Sequence, residues 1–427
     1  MIDLNDLRKN PDKYRAAAAK KRVNFDIDAF LALDASYRAV KSQFETVRAE
    51  QNAVSKALPK LKDEERESKL CAMKDLAARV KELDAEVSQL EARWKVDQQR
   101  LPSVPLAGVP EGKDDSENVE IKRWGELPKF DFEAKDHVEI GRKLGIFDGE
   151  RAVKIAGARN YFLKGDGARL HHAVLNFAMD LISRKGYTLF EPPHMVRYEA
   201  MMGTGYFPGG EDSAYQMDQR DPGTFLIGTS EVPVCSFHME EILQATELPK
   251  RYAGYSACYR REAGTYGKDT QGLYRVHQFY KVEQVVVCQA DAEESAKLHA
   301  ELLGNAEELL QLLKIPYRVV DVCGGDMGLG QVYKNDIESW MPSRNNYGET
   351  HSCSTFYDFQ ARRLNLRYKD GAGKNVYCHT LNNTLVASPR ILIPLLELNQ
   401  NADGSVTIPE VLRAYMGGQS HISPSQI

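Results

Sequence analysis

Residues 259–283 read YRREAGTYGKDTQGLYRVHQFYKVE, two polar strand-like runs separated by a Gly-rich, charged loop. In the second run, five different side chains occupy every other position: Arg275, His277, Phe279, Lys281 and Glu283. A β-strand turns alternate side chains to one face, so these groups would share one surface of a sheet. An exposed, solvated hairpin is the simpler interpretation of a charged run. The ordered series favours the other interpretation, a sheet floor that binds a polyanion and an aromatic base.

The composition is typical of a soluble enzyme with two or three domains. The chain has 427 residues and a formal net charge of −5, so contact with nucleic acid requires local basic patches. Its seven cysteines are scattered without a C-x-x-C spacing, which favours reduced thiols and argues against zinc. The N-terminus lacks a signal-peptide pattern, and no run approaches the ~20 apolar residues of a membrane span. We therefore expect a cytoplasmic protein with no membrane partner.

A long helical hairpin is predicted near the N-terminus. Over 30–58 and again over 73–101, apolar residues step by three and four, with Pro59 and a charged turn between the two seams. This pattern predicts an antiparallel coiled-coil hairpin over about 27–101. The outer surface of the hairpin could serve a binding partner or a dimerisation coil, because the periodicity specifies only the seam.

The rest of the chain has mixed α and β character after a linker rich in proline and glycine that extends to about Glu120. Its strand-like runs show no regular βαβ alternation, which predicts a mainly antiparallel sheet flanked by helices. The predicted fold class is therefore α+β. We expect an N-terminal domain over 1–120 and a second domain over 121–427.

Two local predictions concern polar residues. The run Thr229–Glu231 is embedded in a predicted strand over 225–234. Ser388 and Pro389 suit the N-cap and the first position of a helix. Arg390 would then lie in the first turn of that helix, where the helix dipole favours phosphate.

Four separated polar groups are candidates for chemistry, since the sequence has no P-loop, dinucleotide fingerprint or H-E-x-x-H pair. They lie at 229–231, at 260–283, at 349–352, and at Thr384 with Arg390. Arginine suits multidentate recognition of phosphate, and glutamate offers a hard oxygen ligand for Mg²⁺ shared with substrate phosphates. The four groups together favour a nucleotide site.

Several segments resemble class II aminoacyl-tRNA synthetases. Residues 259–283 are similar to motif 2 of these enzymes, TLNNTLVASPRILIPLLE at 380–397 to motif 3, and KGYTLFEPP at 185–193 to motif 1. Further segments point to one family within the class: LIGTSEV (226–232), ETHSCS (349–354), DFQARR (358–363) and the N-terminal hairpin. From Met1 to Gly417, the chain resembles bacterial-type seryl-tRNA synthetases.

This resemblance implies an activity and a set of partners. Serine and ATP would give seryl-adenylate, and the seryl group would pass to the 3′-terminal adenosine of tRNA(Ser), and of tRNA(Sec) as well. Mg²⁺ would accompany ATP, the hairpin would recognise the tRNA, and the chain would form a homodimer through motif 1. Two rival interpretations are another class II ligase, such as an amino acid:carrier-protein ligase, and a catalytically silent RNA-binding paralogue. The first lacks the hairpin, and the second would be favoured by loss of Arg260, Glu283 or Arg390, all of which are present.

The resemblance also implies roles for individual residues. The catalytic residues would be Arg260 at the α-phosphate, Arg390 at the γ-phosphate and Glu349 at Mg²⁺. The L-serine site would comprise Thr229, Ser230, Glu231, Glu283, Asn382 and Thr384. The ATP site would comprise Arg260, Arg261, Glu262, Arg275, Val276, Phe279, Glu349, Thr350, His351, Ser352 and Arg390.

Glu349 and Ser352 would hold Mg²⁺ together, yet they are three residues apart and a flat strand would turn them to opposite faces. Either a β-bulge intervenes or one contact is indirect. The loop over 263–274 would touch the tRNA acceptor end, and Lys268→Ala would then slow charging more than adenylate formation.

Overall fold

The computed structural model describes residues 1–60, 62–218, 220–263 and 272–424 of the chain. Its helices are α1 (Leu4–Lys9), α2 (Pro11–Lys20), α3 (Ile27–Ala57), α4 (Asp63–Gln99), α5 (His137–Lys143), α6 (Gly149–Ala156), α7 (Asp166–Arg184), α8 (Tyr198–Thr204), α9 (Glu231–Cys235), α10 (Ala292–Leu312), α11 (Phe359–Leu364), α12 (Leu392–Leu398) and α13 (Glu410–Arg413). Its strands are β1 (Val119–Trp124), β2 (Phe147–Asp148), β3 (Phe162–Leu163), β4 (Thr188–Phe190), β5 (Met195–Arg197), β6 (Tyr215–Asp218), β7 (Asp221–Leu226), β8 (Ile242–Gln244), β9 (Lys250–Tyr259), β10 (Gln278–Cys288), β11 (Tyr317–Asp321), β12 (Tyr333–Met341), β13 (Asn346–Tyr357), β14 (Arg367–Lys369), β15 (Asn375–Tyr377), β16 (His379–Ser388), β17 (Val406–Thr407) and β18 (His421–Ile422). Lys268 lies outside the described residues.

The chain divides into two units, and the first is dominated by a helical hairpin. This unit comprises Met1–Ala19 and Val23–Pro102, and the second comprises Lys20–Arg22 and Ser103–Ile427. In the first unit, α3 packs along α4, which confirms the predicted coiled-coil hairpin. Asp26 starts α3 because its carboxylate accepts the free backbone N–H groups of the first turn. None of the helices that the structure describes, these long ones included, has the length and apolar character of a membrane span.

A buried carboxylate fixes the base of the hairpin. Asp34 on α3 has a side chain that is only 2% exposed. It accepts hydrogen bonds from Arg8 on α1 at 2.8 Å, from Arg38 at 3.0 Å and from the Trp94 indole on α4 at 3.0 Å. Because a buried carboxylate requires such partners, this cluster ties three helices together.

The second unit is built on an eight-stranded sheet with the order β1-β11-β12-β13-β16-β10-β9-β4. The pairing of β4 with β9 is parallel, and the other neighbouring strands pair antiparallel. Helices α7 and α10 bury their apolar faces in the core that the sheet forms. The predicted α+β class with a mainly antiparallel sheet is therefore confirmed.

The local prediction for Thr229–Glu231 is wrong, because this run is not in a strand. β7 ends at Leu226, and α9 begins at Glu231. Pro233 explains the difference, since it has no backbone N–H to donate in a sheet. In the first turn of a helix that N–H would have no partner in any case, so proline is tolerated there.

The local prediction for Arg390 is also wrong. Ser388 still belongs to β16, where it pairs with Tyr280, and its hydroxyl lies 2.8 Å from His171 Nδ1, so it does not cap a helix. The helix α12 has 7 residues and begins at Leu392. Arg390 therefore lies in the turn between strand and helix, and the helix dipole is no argument for phosphate at this residue.

Candidate active site

A cavity opens over the sheet. It brings together three of the four polar groups found in the sequence. The residues that line it are Arg260, Glu262, Leu273, Tyr274, Val276, Phe279, Lys281, Glu349, Thr350, Thr384, Ala387 and Arg390.

The floor of the cavity includes alternate residues of β10. Phe279 and Lys281 face the cavity two residues apart, as the alternation predicts. The strand begins at Gln278, however, so the alternation does not extend to Arg275 and His277. Those two side chains instead contact the segment that follows β9. Arg275 lies 3.6 Å from the Glu262 carboxylate, and His277 Nδ1 lies 3.0 Å from the carbonyl oxygen of Arg260.

Arg260 directly follows β9 and is held by a backbone carbonyl of another segment and by an aromatic ring. Its Nε donates to the carbonyl oxygen of Gly228 at 3.1 Å, and its guanidinium lies 5.1 Å from the centre of the Phe279 ring. Burial opposes its charge, but Tyr206 and nearby carboxylates outweigh burial and raise the pKa of Arg260. The cavity therefore contains a permanent, oriented cation beside an aromatic face, an arrangement that suits phosphate and a nucleobase.

Arg390 supplies a second oriented guanidinium. Its Nε donates to the carbonyl oxygen of Tyr274 at 3.1 Å, and its Nη1 donates to the carbonyl oxygen of Glu349 at 3.0 Å. The guanidinium also stacks 4.4 Å from the centre of the Tyr274 ring. Two guanidinium groups in one cavity provide a strong field for a polyphosphate.

A β-bulge turns Glu349 and Ser352 to the same face of the sheet. Glu349 pairs with Glu338 and Ser352 with Asp336, and the register shifts by one residue between these pairs. Of the two alternatives that the sequence leaves open, the structure has the bulge. Partial burial opposes the ionisation of Glu349, but Arg390 and then Lys334 outweigh it and lower the pKa of Glu349.

Asp336 on β12 lies opposite Ser352 on β13. Its Oδ1 is buried without a hydrogen-bond partner, and its Oδ2 lies 3.0 Å from Lys334 Nζ. Burial raises the pKa of Asp336 to about 7, with Lys334 acting against burial and Glu349 reinforcing it. Among the described residues, no group of three or more histidine, cysteine, aspartate and glutamate side chains forms a metal site. A metal ion at Glu349 and Ser352 would therefore need further ligands from a substrate.

A second polar cluster adjoins the cavity around Glu283. Its carboxylate is 1% exposed and pairs with Lys281 on the same strand. It also accepts hydrogen bonds from Asn382 Nδ2 at 3.0 Å and from Thr384 Oγ1 at 3.2 Å. Lys281 Nζ reaches Thr229 Oγ1 at 2.8 Å, so the fourth polar group of the sequence joins the same site.

Glu231 stands at the start of α9, next to this cluster. Gln360 Nε2 donates to its carboxylate at 2.7 Å. Burial, reinforced by the charge of Glu283, raises the pKa of Glu231 to about 7. When Glu231 is ionised, two carboxylates and one lysine leave a net negative charge, which suits an ammonium ligand.

Nine residues of the predicted sites do not line the cavity: Thr229, Ser230, Glu231, Arg261, Arg275, Glu283, His351, Ser352 and Asn382. Three of them are held by other contacts. The hydroxyl of Ser230 donates to the carbonyl oxygen of Gly254 at 2.9 Å, which is a packing contact. His351 is buried against Thr350 Oγ1 and the carbonyl oxygen of Leu385, and burial lowers the pKa of its imidazole to about 4. Arg261 is tied by its backbone N–H to the carbonyl oxygen of Ser213 at 3.0 Å.

The predicted sites omit several residues that the structure brings into the site. Lys281 is the most important, and its position between Phe279 and Glu283 in the alternating series was a signal for it. Asp336 lies opposite Ser352, and Tyr274 packs against Arg390. Pairings of this kind join residues distant in sequence, so one sequence gives no local signal for them.

The similarity of the chain to known proteins agrees with this geometry. A profile described as "Seryl-tRNA synthetase N-terminal domain" matches residues 1–105, and one described as "tRNA synthetase class II core domain (G, H, P, S and T)" matches residues 215–399. A serine–tRNA ligase of Deinococcus radiodurans is 49% identical over 419 residues, which are 98% of each chain. The chain belongs to the seryl-tRNA synthetase family.

A further relative in sequence and two solved structures agree with this assignment. A serine–tRNA ligase of Clostridium tetani is 43% identical over 99% of this chain and 100% of its own. The seryl-tRNA synthetase of Pyrococcus horikoshii complexed with ATP matches all of both chains with a TM-score of 0.91 and 37% identity. The cytoplasmic serine–tRNA ligase of Naegleria fowleri in complex with AMP matches 100% of this chain and 99% of its own, with a TM-score of 0.87 and 32% identity. The predicted family and its serine–tRNA ligase activity are confirmed.

Proposed function

We propose that the cavity binds ATP and serine side by side and joins them as seryl-adenylate. The observation that carries this proposal is the convergence on one cavity of two oriented guanidinium groups, an aromatic ring and an acidic cluster. Adenine would stack on Phe279, the α-phosphate would lie at Arg260 and the γ-phosphate at Arg390. Glu262, Val276 and the remaining residues of the predicted ATP site would surround the nucleotide.

The chemical step needs no protein nucleophile. A carboxylate oxygen of serine attacks the α-phosphorus, the bond from that phosphorus to the β-phosphate oxygen breaks, and pyrophosphate leaves. Negative charge grows on the α-phosphate oxygens as this happens, and Arg260 is positioned to stabilise it. Orientation and electrostatic stabilisation supply most of the acceleration in displacements of this kind.

A divalent metal ion accompanies ATP in class II synthetases, and we propose Mg²⁺ at Glu349 and Ser352. The fit rests on the bulge that places both side chains on one face, and on the buried, unpartnered Oδ1 of Asp336, which lies opposite Ser352 on the neighbouring strand. Proteins typically supply only one or two ligands to a Mg²⁺ ion that accompanies a nucleotide, such as one carboxylate and a hydroxyl. The other ligands come from phosphates and water. The ion would neutralise part of the negative charge on the phosphates.

The acidic cluster is proposed to select serine. Glu283 with Thr384 would bind the serine hydroxyl and ammonium, and Thr229 with Glu231 would meet its amino and carboxylate ends. Alanine would offer no hydroxyl to Glu283 and Thr384, and a site built to hydrogen-bond a substrate hydroxyl can reject the analogue that lacks it by ~10⁴. Threonine would be excluded by its additional methyl group.

The transfer step involves the hairpin unit. We propose that residues 1–120 form a tRNA-binding module, that 121–427 form the catalytic module, and that α3 and α4 recognise tRNA(Ser) and tRNA(Sec). Recognition of RNA by shape and backbone suits a rod whose charges are balanced. We also propose that Lys268 contacts the acceptor end of the tRNA during transfer.

We also propose a homodimer in the cytoplasm. The edge strand β4 belongs to the segment similar to motif 1 and leaves Leu189 exposed, and the exposed Phe237 packs 5.0 Å from Phe190 of the same strand. A second copy of the chain would cover these apolar groups. Light scattering would then give twice the 48.1 kDa of one chain, and a mass of 48.1 kDa at micromolar concentration would refute the dimer.

The proposed activation step is tested by ATP–pyrophosphate exchange with serine, alanine, threonine and glycine in turn. We expect exchange with serine alone. Exchange with any of the other three at a comparable rate would contradict the proposed serine site, and no exchange with any of them would contradict the proposed adenylation.

A further inference from the structure

A buried carboxylate joins three segments of the chain, one of which leads to the cavity wall. Glu397 on α12 has a side chain that is 0% exposed. Its Oε1 accepts from the backbone N–H of His137 at 3.0 Å, from His137 Nδ1 at 2.8 Å and from Ser343 Oγ at 2.8 Å. Its Oε2 accepts from the backbone N–H of Ser343 at 2.9 Å. A carboxylate with four donors is a rigid anchor for the groups that it binds.

This anchor fixes the tautomer of His137. Glu397 can only accept at Nδ1, so Nδ1 of the imidazole carries a proton. The other ring nitrogen, Nε2, lies 3.2 Å from the backbone nitrogen of Leu273, whose N–H can only donate. Nε2 therefore accepts, and the ring is the neutral Nδ1–H tautomer that joins Glu397 to Leu273.

The segment that His137 holds is part of the cavity wall. Leu273, Tyr274 and Val276 line the cavity. The carbonyl oxygen of Tyr274 accepts the bond from Arg390 Nε, and the Tyr274 ring lies between the guanidinium groups of Arg344 at 4.0 Å and Arg390 at 4.4 Å. A shift of this segment would therefore move Arg390.

Gly272 allows the chain to pass this close to the imidazole. Its φ of +80° is in the left-handed region that favours glycine, and a Cβ at this position would overlap the ring of His137 at Nε2. The backbone at Gly272 and Leu273 therefore packs directly against His137 Nε2.

We propose that His137, oriented by Glu397, is a positioning residue for ATP. It fixes the backbone at Leu273 and thereby places Tyr274 and Arg390 for the triphosphate, without touching the substrate itself. This inference rests on the proposed function of the cavity as the ATP site.

Two substitutions separate the hydrogen bond from His137 to Glu397 from the hydrogen bond that His137 accepts from Leu273. In His137→Asn, the side-chain amide can still donate to Glu397 but is too short to reach Leu273. In His137→Gln, an amide oxygen can take the position of Nε2 and accept from Leu273. The exposed His172 on α7 provides a matched control as His172→Gln.

The experiment measures KM for ATP, KM for serine and kcat in serine-dependent ATP–pyrophosphate exchange, together with the melting temperature. We expect His137→Asn to raise KM for ATP about tenfold, equivalent to ~1.4 kcal/mol, with KM for serine within about twofold of the parent. We expect His137→Gln to restore KM for ATP to within about threefold of the parent, and His172→Gln to leave all values unchanged.

A KM for ATP within about twofold of the parent in His137→Asn would overturn the inference. Equal increases in His137→Asn and His137→Gln would also overturn it, because they would indicate packing of the ring and not the bond to Leu273. Absence of exchange in the parent chain would instead contradict the proposed function, so the two failures are distinguishable.

Discussion

Lys281 offers the sharpest test of how the serine end of the site is built. Its side chain is 7% exposed, and it pairs with Glu283, which is 1% exposed. Lys281→Met keeps most of the length of the side chain and removes only the ammonium group. The change would leave a buried carboxylate with two neutral donors, Asn382 and Thr384.

The expected loss of stability follows from these contacts. Removing one partner of a buried ion pair costs about 3–5 kcal/mol, since the remaining charge is uncompensated. The two remaining hydrogen bonds to Glu283 place the expected loss at the lower end, about 3 kcal/mol. The double variant Lys281→Met/Glu283→Gln contains no buried charge at this point, and we expect it to recover about 2 kcal/mol of that loss.

The assay is urea unfolding of the parent, the two single variants and the double variant, analysed as a double-mutant cycle. Serine-dependent exchange is measured on the same preparations. The double variant should regain stability but not activity, because Glu283 is proposed to bind serine. A loss below about 1 kcal/mol in Lys281→Met, or a double variant no more stable than that single variant, would refute the reasoning.

Three further predictions test other parts of the site. Because the pKa of Glu231 is raised to about 7 and its ionised form would bind the serine ammonium, KM for serine should rise about tenfold from pH 8 to pH 6; a profile equally steep in Glu231→Gln would contradict this assignment. Phe279→Ala should raise KM for ATP about fivefold or more, since stacking on a base contributes ~1–3 kcal/mol, and an unchanged KM would exclude adenine from this ring. Deleting 27–101 should leave exchange largely intact and abolish tRNA charging, and loss of both activities together would contradict two separate modules.

The sequence predicts features of the fold that depend on local periodicity. The heptad seams specify α3 and α4, and the absence of βαβ alternation specifies an antiparallel sheet. The prediction fails at Thr229–Glu231 and at Arg390, where a strand meets a turn. At 229–231 the sequence contains the signal, because Pro233 has no backbone N–H for a sheet. At Arg390 the outcome depends on the pairing of Ser388 with Tyr280, which is distant in sequence.

The candidate site could also be predicted only in part from the sequence. The resemblance to synthetase motifs assigns residues such as Arg260, Phe279 and Glu349 to one nucleotide site, and the structure places all three at one cavity. The other contacts of the site depend on the register between neighbouring strands. Thr384 lies opposite Glu283 because of a bulge in β16, and one sequence alone contains no signal for that register.

The most direct test of the account is a crystal structure of the protein with a non-hydrolysable seryl-adenylate analogue, in which a sulfamoyl group replaces the phosphate. We expect the adenine on Phe279, the sulfamoyl oxygens within hydrogen-bond distance of Arg260, and the serine hydroxyl at Glu283 and Thr384. An analogue bound with its serine end away from Glu283, or outside this cavity, would contradict the central claim that one site holds both substrates.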